Sequence, residues 1–391
     1  MTELPDGWIW TTIGDVCEKP KYGWTTSASD IGEVKLLRTT DLTHGPITWE
    51  TVPFCKETPK TVADFEVHPN DIFISRAGSV GVSVLVKDAP FKSVFASYLI
   101  RVRPTKRIDA RYLSLFLQSP HYWNQVVELS SGIALANINA TKIQSMTLPL
   151  PPIGEQHKIV ELLEDHLSRL DAALTDVKQA KIKAAQFRQS LLNSVFYGNK
   201  FESFDLGTCI ELIMGQAPPG ITCNKNGDGT PFVKVGEFAK LYPTIEEWTL
   251  KPLRLAKKGD VLICVVGATV GKINLGIDCA IGRSVAAIRP KNKLLQKYLY
   301  YFLELKMLEI RGQSKGSAQG VITKDYINSI QIPLPELKVQ QDILDLLESN
   351  FSQIEKSIDV SNVIERESLS LRRSLLQAAF TGQQTKEVAS V

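Results

Sequence analysis

Residues 148–199 return as residues 332–383 with no gap between the copies. Gln156 pairs with Gln340, Leu163 with Leu347, Arg188 with Arg372, Phe196 with Phe380 and Gly198 with Gly382, each pair 184 positions apart. About 15 of roughly 52 aligned positions are identical and most others exchange like for like, which shared helical composition does not produce. The chain therefore folds as one plan used twice.

Both copies open on prolines, Leu148-Pro149-Leu150-Pro151-Pro152 and Ile332-Pro333-Leu334-Pro335, and then keep a helical pattern up to a glycine. Proline suits a helix start and glycine its end. In the first copy Val160, Leu163, Leu167, Leu170, Leu174, Val177, Lys181, Ala184, Arg188, Leu191 and Val195 alternate steps of three and four, which is a heptad seam. Leu344, Leu347, Phe351, Ile354, Ile358, Ser361, Glu365, Ser368, Arg372, Leu375 and Ala379 repeat it. Each helix should run for about 44 residues, roughly 66 Å at 1.5 Å per residue, longer than a domain is wide.

The expected order is a globule over residues 1–147, a helical spacer over 148–200, a second globule over 201–331 and a second spacer over 332–391. The fold class is α+β, with two α/β globules separated by two long antiparallel coiled-coil helices and an internal pseudo-two-fold repeat. In the first globule residues 34–40, 71–75 and 93–102 read as β-rich, and 110–118 as a short helix ahead of Pro120. The globules share this plan. Asn70-Asp71-Ile72-Phe73-Ile74 corresponds to Gly259-Asp260-Val261-Leu262-Ile263, Ile100-Arg101-Val102-Arg103-Pro104 to Ala286-Ala287-Ile288-Arg289-Pro290, and Tyr112-Leu113 to Tyr298-Leu299. They have diverged far more than the helices, as two copies given different tasks do.

A chain of 391 residues, 43% hydrophobic, can bury two ordinary cores. It has no apolar run of membrane-spanning length, and Met1-Thr2-Glu3-Leu4-Pro5 lacks the basic and apolar regions of a signal peptide. The six cysteines are scattered with no C-x-x-C pair, which argues against a disulfide framework or zinc site and fits a reducing cytoplasm. Residues 1–147 carry 15 basic and 15 acidic side chains, residues 201–331 carry 17 and 12. The second globule alone has a net basic footprint of the kind nucleic acid attracts.

The order of globule, Leu-Pro-Leu-Pro-Pro-Ile-Gly-Glu-Gln helix, globule and repeated helix resembles the specificity (S) subunit of type I restriction-modification systems. There, two target recognition domains alternate with two conserved helical regions. The opening Leu4-Pro5-Asp6-Gly7-Trp8 before Ile13-Gly14-Asp15-Val16 is similar, as are the turns Gly78-Ser79-Val80-Gly81 and Gly267-Ala268-Thr269-Val270-Gly271-Lys272. The second copy departs from the pattern in having Val339-Gln340 where the first has Glu155-Gln156, and in lacking the double proline. The resemblance implies a non-catalytic subunit whose globules each read one half of a bipartite, asymmetric target in double-stranded DNA, with the helices fixing the separation. It also implies recruitment of two methyltransferase (modification) subunits, docked in the family by the helical regions, and through the complex of restriction (motor-nuclease) subunits. S-adenosylmethionine, ATP and magnesium would serve those partners, and no cofactor is expected on this chain.

The residues themselves offer no catalytic constellation. Residues 267–272 fall short of a phosphate loop, since three residues intervene before Gly271-Lys272 and Ile273 replaces the Ser or Thr that reaches magnesium; a tight β-turn or bulge with small residues is expected. Glu336 and Lys338 sit at a helix start, where acidic residues are common for dipole reasons. No Asn-Pro-Pro-aromatic or Asp-Pro-Pro-aromatic motif occurs, and the five histidines form no metal-spaced cluster.

Base readers are sought in loops joining basic, amide and hydroxyl side chains, because Arg and Lys read guanine and Asn and Gln read adenine in the major groove. In the first globule these are Lys21, Tyr22, Trp24, Arg38, Thr39, Thr40, Ser75, Arg76 and Asn137. In the second they are Gln216, Lys225, Asn226, Lys234, Thr269, Lys272, Asn274, Arg283, Lys315 and Gln319. Arg101, Arg103, Lys106, Arg107 and Arg111, the densest basic run, are expected at phosphates or on a solvated face. A stand-alone DNA-binding regulator and a coiled-coil scaffold with two protein-binding heads are the rival readings, the neutral first globule favouring the latter.

Overall fold

The structure, a computed structural model, describes residues 4–43, 45–130, 137–314 and 320–381. The two spacers are helices Ile153–Tyr197 and Leu337–Phe380, 45 and 44 residues long. Every seam position is buried or half-buried, and most positions between them face outwards. The chain divides into two compact units, Met1–Val177 with Val363–Val391, and Lys178–Asn362. Each helix is thus divided between the units, whereas the boundaries 148–200 and 332–391 treat the helices as modules of their own. The reason is burial: helix ends supply apolar residues to globule cores.

In the first unit Ile159, Val160, Leu163 and Leu167 from the start of one helix and Leu376, Ala379 and Phe380 from the end of the other join one core with Ile72, Ile74, Tyr112 and Phe116. Asp171 accepts a hydrogen bond from Arg372 at 2.7 Å, and since later residues of the first helix thus meet earlier residues of the second, the two segments run in opposite directions. An antiparallel sheet orders Lys21–Tyr22, Leu99–Val102, Ile72–Ser75 and Ser83–Leu85. A second sheet orders Ala28–Ser29, Phe54–Cys55, Lys35–Leu37 and Ser93–Phe95, its last two strands parallel.

The other unit repeats this with Leu192, Val195 and Phe196 joined to Leu344, Leu347, Phe351 and the globule's Tyr298 and Phe302. Its sheets order Ile210–Met214, Val285–Pro290, Val261–Cys264 and Ile273–Leu275, and Cys223–Asn224, Trp248–Thr249, Thr230–Val233, Cys279–Ile281 and Leu255–Ala256.

Two sequence expectations change. The stretch before each helix is a strand: Thr147–Leu150 pairs with Ile9–Thr12 and Gln331–Pro333 with Ser203–Asp205, two-stranded sheets whose free edges tolerate proline. The β-rich run 93–102 splits into Ser93–Phe95 and Leu99–Val102, which lie in different sheets on either side of a turn at Ala96. The turn at residues 267–272 is as expected, joining Val261–Cys264 to Ile273–Leu275.

Candidate nucleic-acid interface

In each globule the parallel strand pair ends in one cluster of loops. In the first, Leu37 lies beside Phe95, the Ala96 N–H donates to the Leu37 carbonyl at 2.9 Å, and the Trp24 N–H donates to the Phe95 carbonyl at 2.7 Å. Gly23 permits this approach, since a Cβ there would fall 2.3 Å from the Phe95 and Ala96 carbonyl oxygens. In the second, the Gly282 N–H donates to the Val233 carbonyl and the Gln216 N–H to the Ile281 carbonyl, both at 3.0 Å, and Gly215 is crowded in the same way. Trp24 and Gln216 therefore hold equivalent places, as do Arg38 and Lys234 immediately after the strand.

The first cluster gathers Tyr22, Trp24, Arg38, Arg76 and Asn137. The Arg76 N–H donates to the Tyr98 carbonyl at 2.9 Å and the Arg76 carbonyl accepts from Ile138, next to Asn137, at 3.1 Å. Trp24 is anchored through Nε1 to the Glu57 carbonyl at 2.9 Å, and Lys21 pairs with Asp64 at 3.2 Å. Arg38 grips Asp41 with two nitrogens, at 3.1 and 2.9 Å, at the start of the 3-10 turn that carries Thr39 and Thr40. The second cluster gathers Gln216, Lys234 and Arg283, all exposed. Lys234 pairs with Glu237 and Glu247, and the Glu247 hydrogen bond holds its ammonium pKa above the ordinary value.

Other candidates lie elsewhere. Lys225 and Asn226 are in the loop ahead of Thr230–Val233, at the other end of that strand from Lys234, where the Asn224 Oδ1 accepts from the Asn226 and Asp228 N–H groups. Thr269 is exposed in the 267–272 turn, while Lys272 spends its ammonium on the Phe238 carbonyl at 2.5 Å. Lys315 and Gln319 lie outside the described residues.

Two candidates are internal supports. Ser75 is buried and donates to the Ala77 carbonyl, and the buried Asn274 amide is consumed by the Ala239 N–H and carbonyl. The basic run is also structural in part: Arg101 is buried and donates to the Glu66 carbonyl, and Arg103 makes a two-pronged pair with Asp71 at 2.6 and 2.9 Å, as Arg289 does with Asp260. Tyr98, 63% exposed beside Arg76, and the exposed Arg254, whose carbonyl accepts from Ile281, belong to these clusters and were missed by sequence reasoning. Aligning the globules pairs Tyr98 with Ser284, and that divergence is the signal that finds it.

The sequence pattern of the type I restriction modification DNA specificity domain matches residues 5–184 and again 199–366. The chain belongs to this specificity family. Across its whole length it is similar to a chain solved in work on complex assembly and conformational transition of the type I R-M system, with a TM-score of 0.83 and 25% identity over 98% of this chain and 100% of that one. The HsdS subunit from Thermoanaerobacter tengcongensis superposes with a TM-score of 0.60 at 25% identity, covering 97% and 98%. Among curated relatives, the type I restriction enzyme StySPI specificity subunit of Salmonella potsdam is 24% identical over 98% of this chain and 91% of its own length. The two matches account for the duplication.

Proposed function

We propose that this chain is the sequence-specific DNA-recognition subunit of a type I restriction-modification complex, each globule reading one half of a bipartite, asymmetric duplex target. The observation that carries the reading is the pair of equivalent loop clusters built on one scaffold with different side chains, Trp24 and Arg38 against Gln216 and Lys234. The chain recruits two methyltransferase subunits, and restriction subunits join through the complex. It contributes recognition and not chemistry: methyl transfer from S-adenosylmethionine by the isolated chain would contradict this. Action in the cytoplasm fits the role, and among the described residues no helix is long and apolar enough to cross a membrane.

Exchanging residues 1–147 for the matching globule of another specificity subunit tests the reading directly. Methylome sequencing should show one half-target replaced and the other kept. Alteration of both halves argues against independent reading, and tight specific binding by the chain without partners favours a stand-alone regulator.

A further inference from the structure

Arg76 differs from every other arginine of the first globule. Arg38, Arg103 and Arg111 pair with carboxylates, and Arg101 and Arg107 donate to backbone carbonyls. Among the described residues nothing accepts from the Arg76 side chain, and its Nε is buried without a hydrogen-bond partner. A guanidinium left so is uncommon in a folded protein and asks for an explanation.

The group is nonetheless held in place. Its carbon lies 4.9 Å from the centre of the Tyr22 ring, and the Tyr22 hydroxyl is itself fixed by accepting from the Ala140 N–H at 3.0 Å. Both backbone polar groups of Arg76 are hydrogen-bonded, to Tyr98 and Ile138. A planar fork stacked on an aromatic face is pre-organised for two-pronged recognition and loses little freedom on binding. In the second globule the same backbone bonds are made by Val265, to Ser284 and Ile322, but its side chain is apolar and fully buried, and Met214 stands where Tyr22 does. The nearest arginine in that cluster is Arg283, one residue before Ser284.

We propose that Arg76, seated on Tyr22, is a specificity-determining residue that reads the O6 and N7 atoms of one guanine in the half-target of the first globule, with no counterpart at the matching position of the second. This rests on the DNA-recognition reading above. The complex with methyltransferase subunits is assembled with wild-type, Arg76→Ala or Arg76→Lys chain, and bound to its methylome-defined duplex and to duplexes carrying 7-deazaguanine at single positions. One such position should weaken the wild-type complex, by the lower part of the roughly 5- to 150-fold that loss of a whole two-pronged pair would cost, since O6 is kept. Both variants should lose sensitivity at that position and keep it at all others. If Arg76→Ala does not assemble, Arg76→Lys carries the test alone, since it keeps the charge and stem but not the fork. Wild-type sensitivity at that position in either variant shows that the two-pronged fork is not what reads the base and overturns the proposal, as does uniform weakening with a shallower salt dependence, which means a phosphate contact. A specific wild-type complex whose first half-target contains no sensitive guanine also overturns it. Absence of any specific binding by the wild-type complex would instead sink the DNA-recognition reading itself.

Discussion

Phe380 meets Tyr112 edge-on with ring centroids 5.2 Å apart, and 184 positions earlier Phe196 meets Tyr298 in the same way at 4.9 Å. The end of each long helix is therefore a core piece of a globule. Phe380 closes the first globule from the far end of the sequence, and Phe196 closes the second from immediately ahead of it.

Removing either ring should destabilise one unit only. Phe380→Ala and Phe196→Ala are each expected to cost about 3–5 kcal/mol, the range for large aromatic side chains lost from a core. Hydrogen exchange should show protection falling around residues 110–150 in the first variant and 296–333 in the second. Equal loss across both units in either variant would contradict this.

A second matched pair, Gln156 and Gln340, locks each helix start. Gln156 accepts from the Asp109 N–H at 2.8 Å and donates to the Arg107 and Pro151 carbonyls; Gln340 accepts from the Leu295 N–H at 2.9 Å and donates to the Lys293 and Pro335 carbonyls. Both are buried, so truncation leaves backbone groups without partners. Gln156→Ala and Gln340→Ala should each lower stability by about 1–3 kcal/mol in urea titrations, more than an exposed glutamine such as Gln353.

The thiols should react unequally. Burial pushes the pKa of Cys17 up to about 12 and of Cys55 up to about 11, and burial with the nearby Asp260 and Asp278 carboxylates pushes Cys279 up to about 12. A raised pKa leaves little thiolate at pH 8, and the thiolate is the nucleophile. Half-exposed Cys209 and Cys223 should be alkylated first in the folded protein. Mass spectrometry finding Cys17 modified as fast as Cys223 would rule this out.

If the helices set the distance between the two half-targets, deleting residues 167–173 and 351–357 should alter it. The deletion takes the same seven positions from both copies and keeps the seam in register. Each helix loses about 10 Å at 1.5 Å per residue, against about 3.4 Å per base pair of B-DNA. Methylome sequencing should show both half-sequences retained and the spacer shorter by about one to three base pairs. An unchanged spacer in an active variant removes the helices from that role.

The long helices were legible in the sequence because a helix is a local object. Its period of three and four repeats within each turn, and from Val160 to Val195 every seam residue is on the buried side. The duplication was legible for the same reason, since an offset of 184 can be read without knowing any contact.

What the tertiary structure decided depends on partners far along the chain. Leu148-Pro149-Leu150 is a strand because Ile9–Thr12 lies beside it, and Phe380 is a core residue of the first globule because Tyr112 receives it. The site shows the same division. Composition named arginines, serines and asparagines without distinguishing them. Folding buried Ser75 and Asn274, engaged Arg101 with a carbonyl and Arg103 with a carboxylate, and left Arg76 over the Tyr22 ring with no acceptor among the described residues, since an arginine's availability is fixed by the groups that surround it and not by its neighbours in sequence.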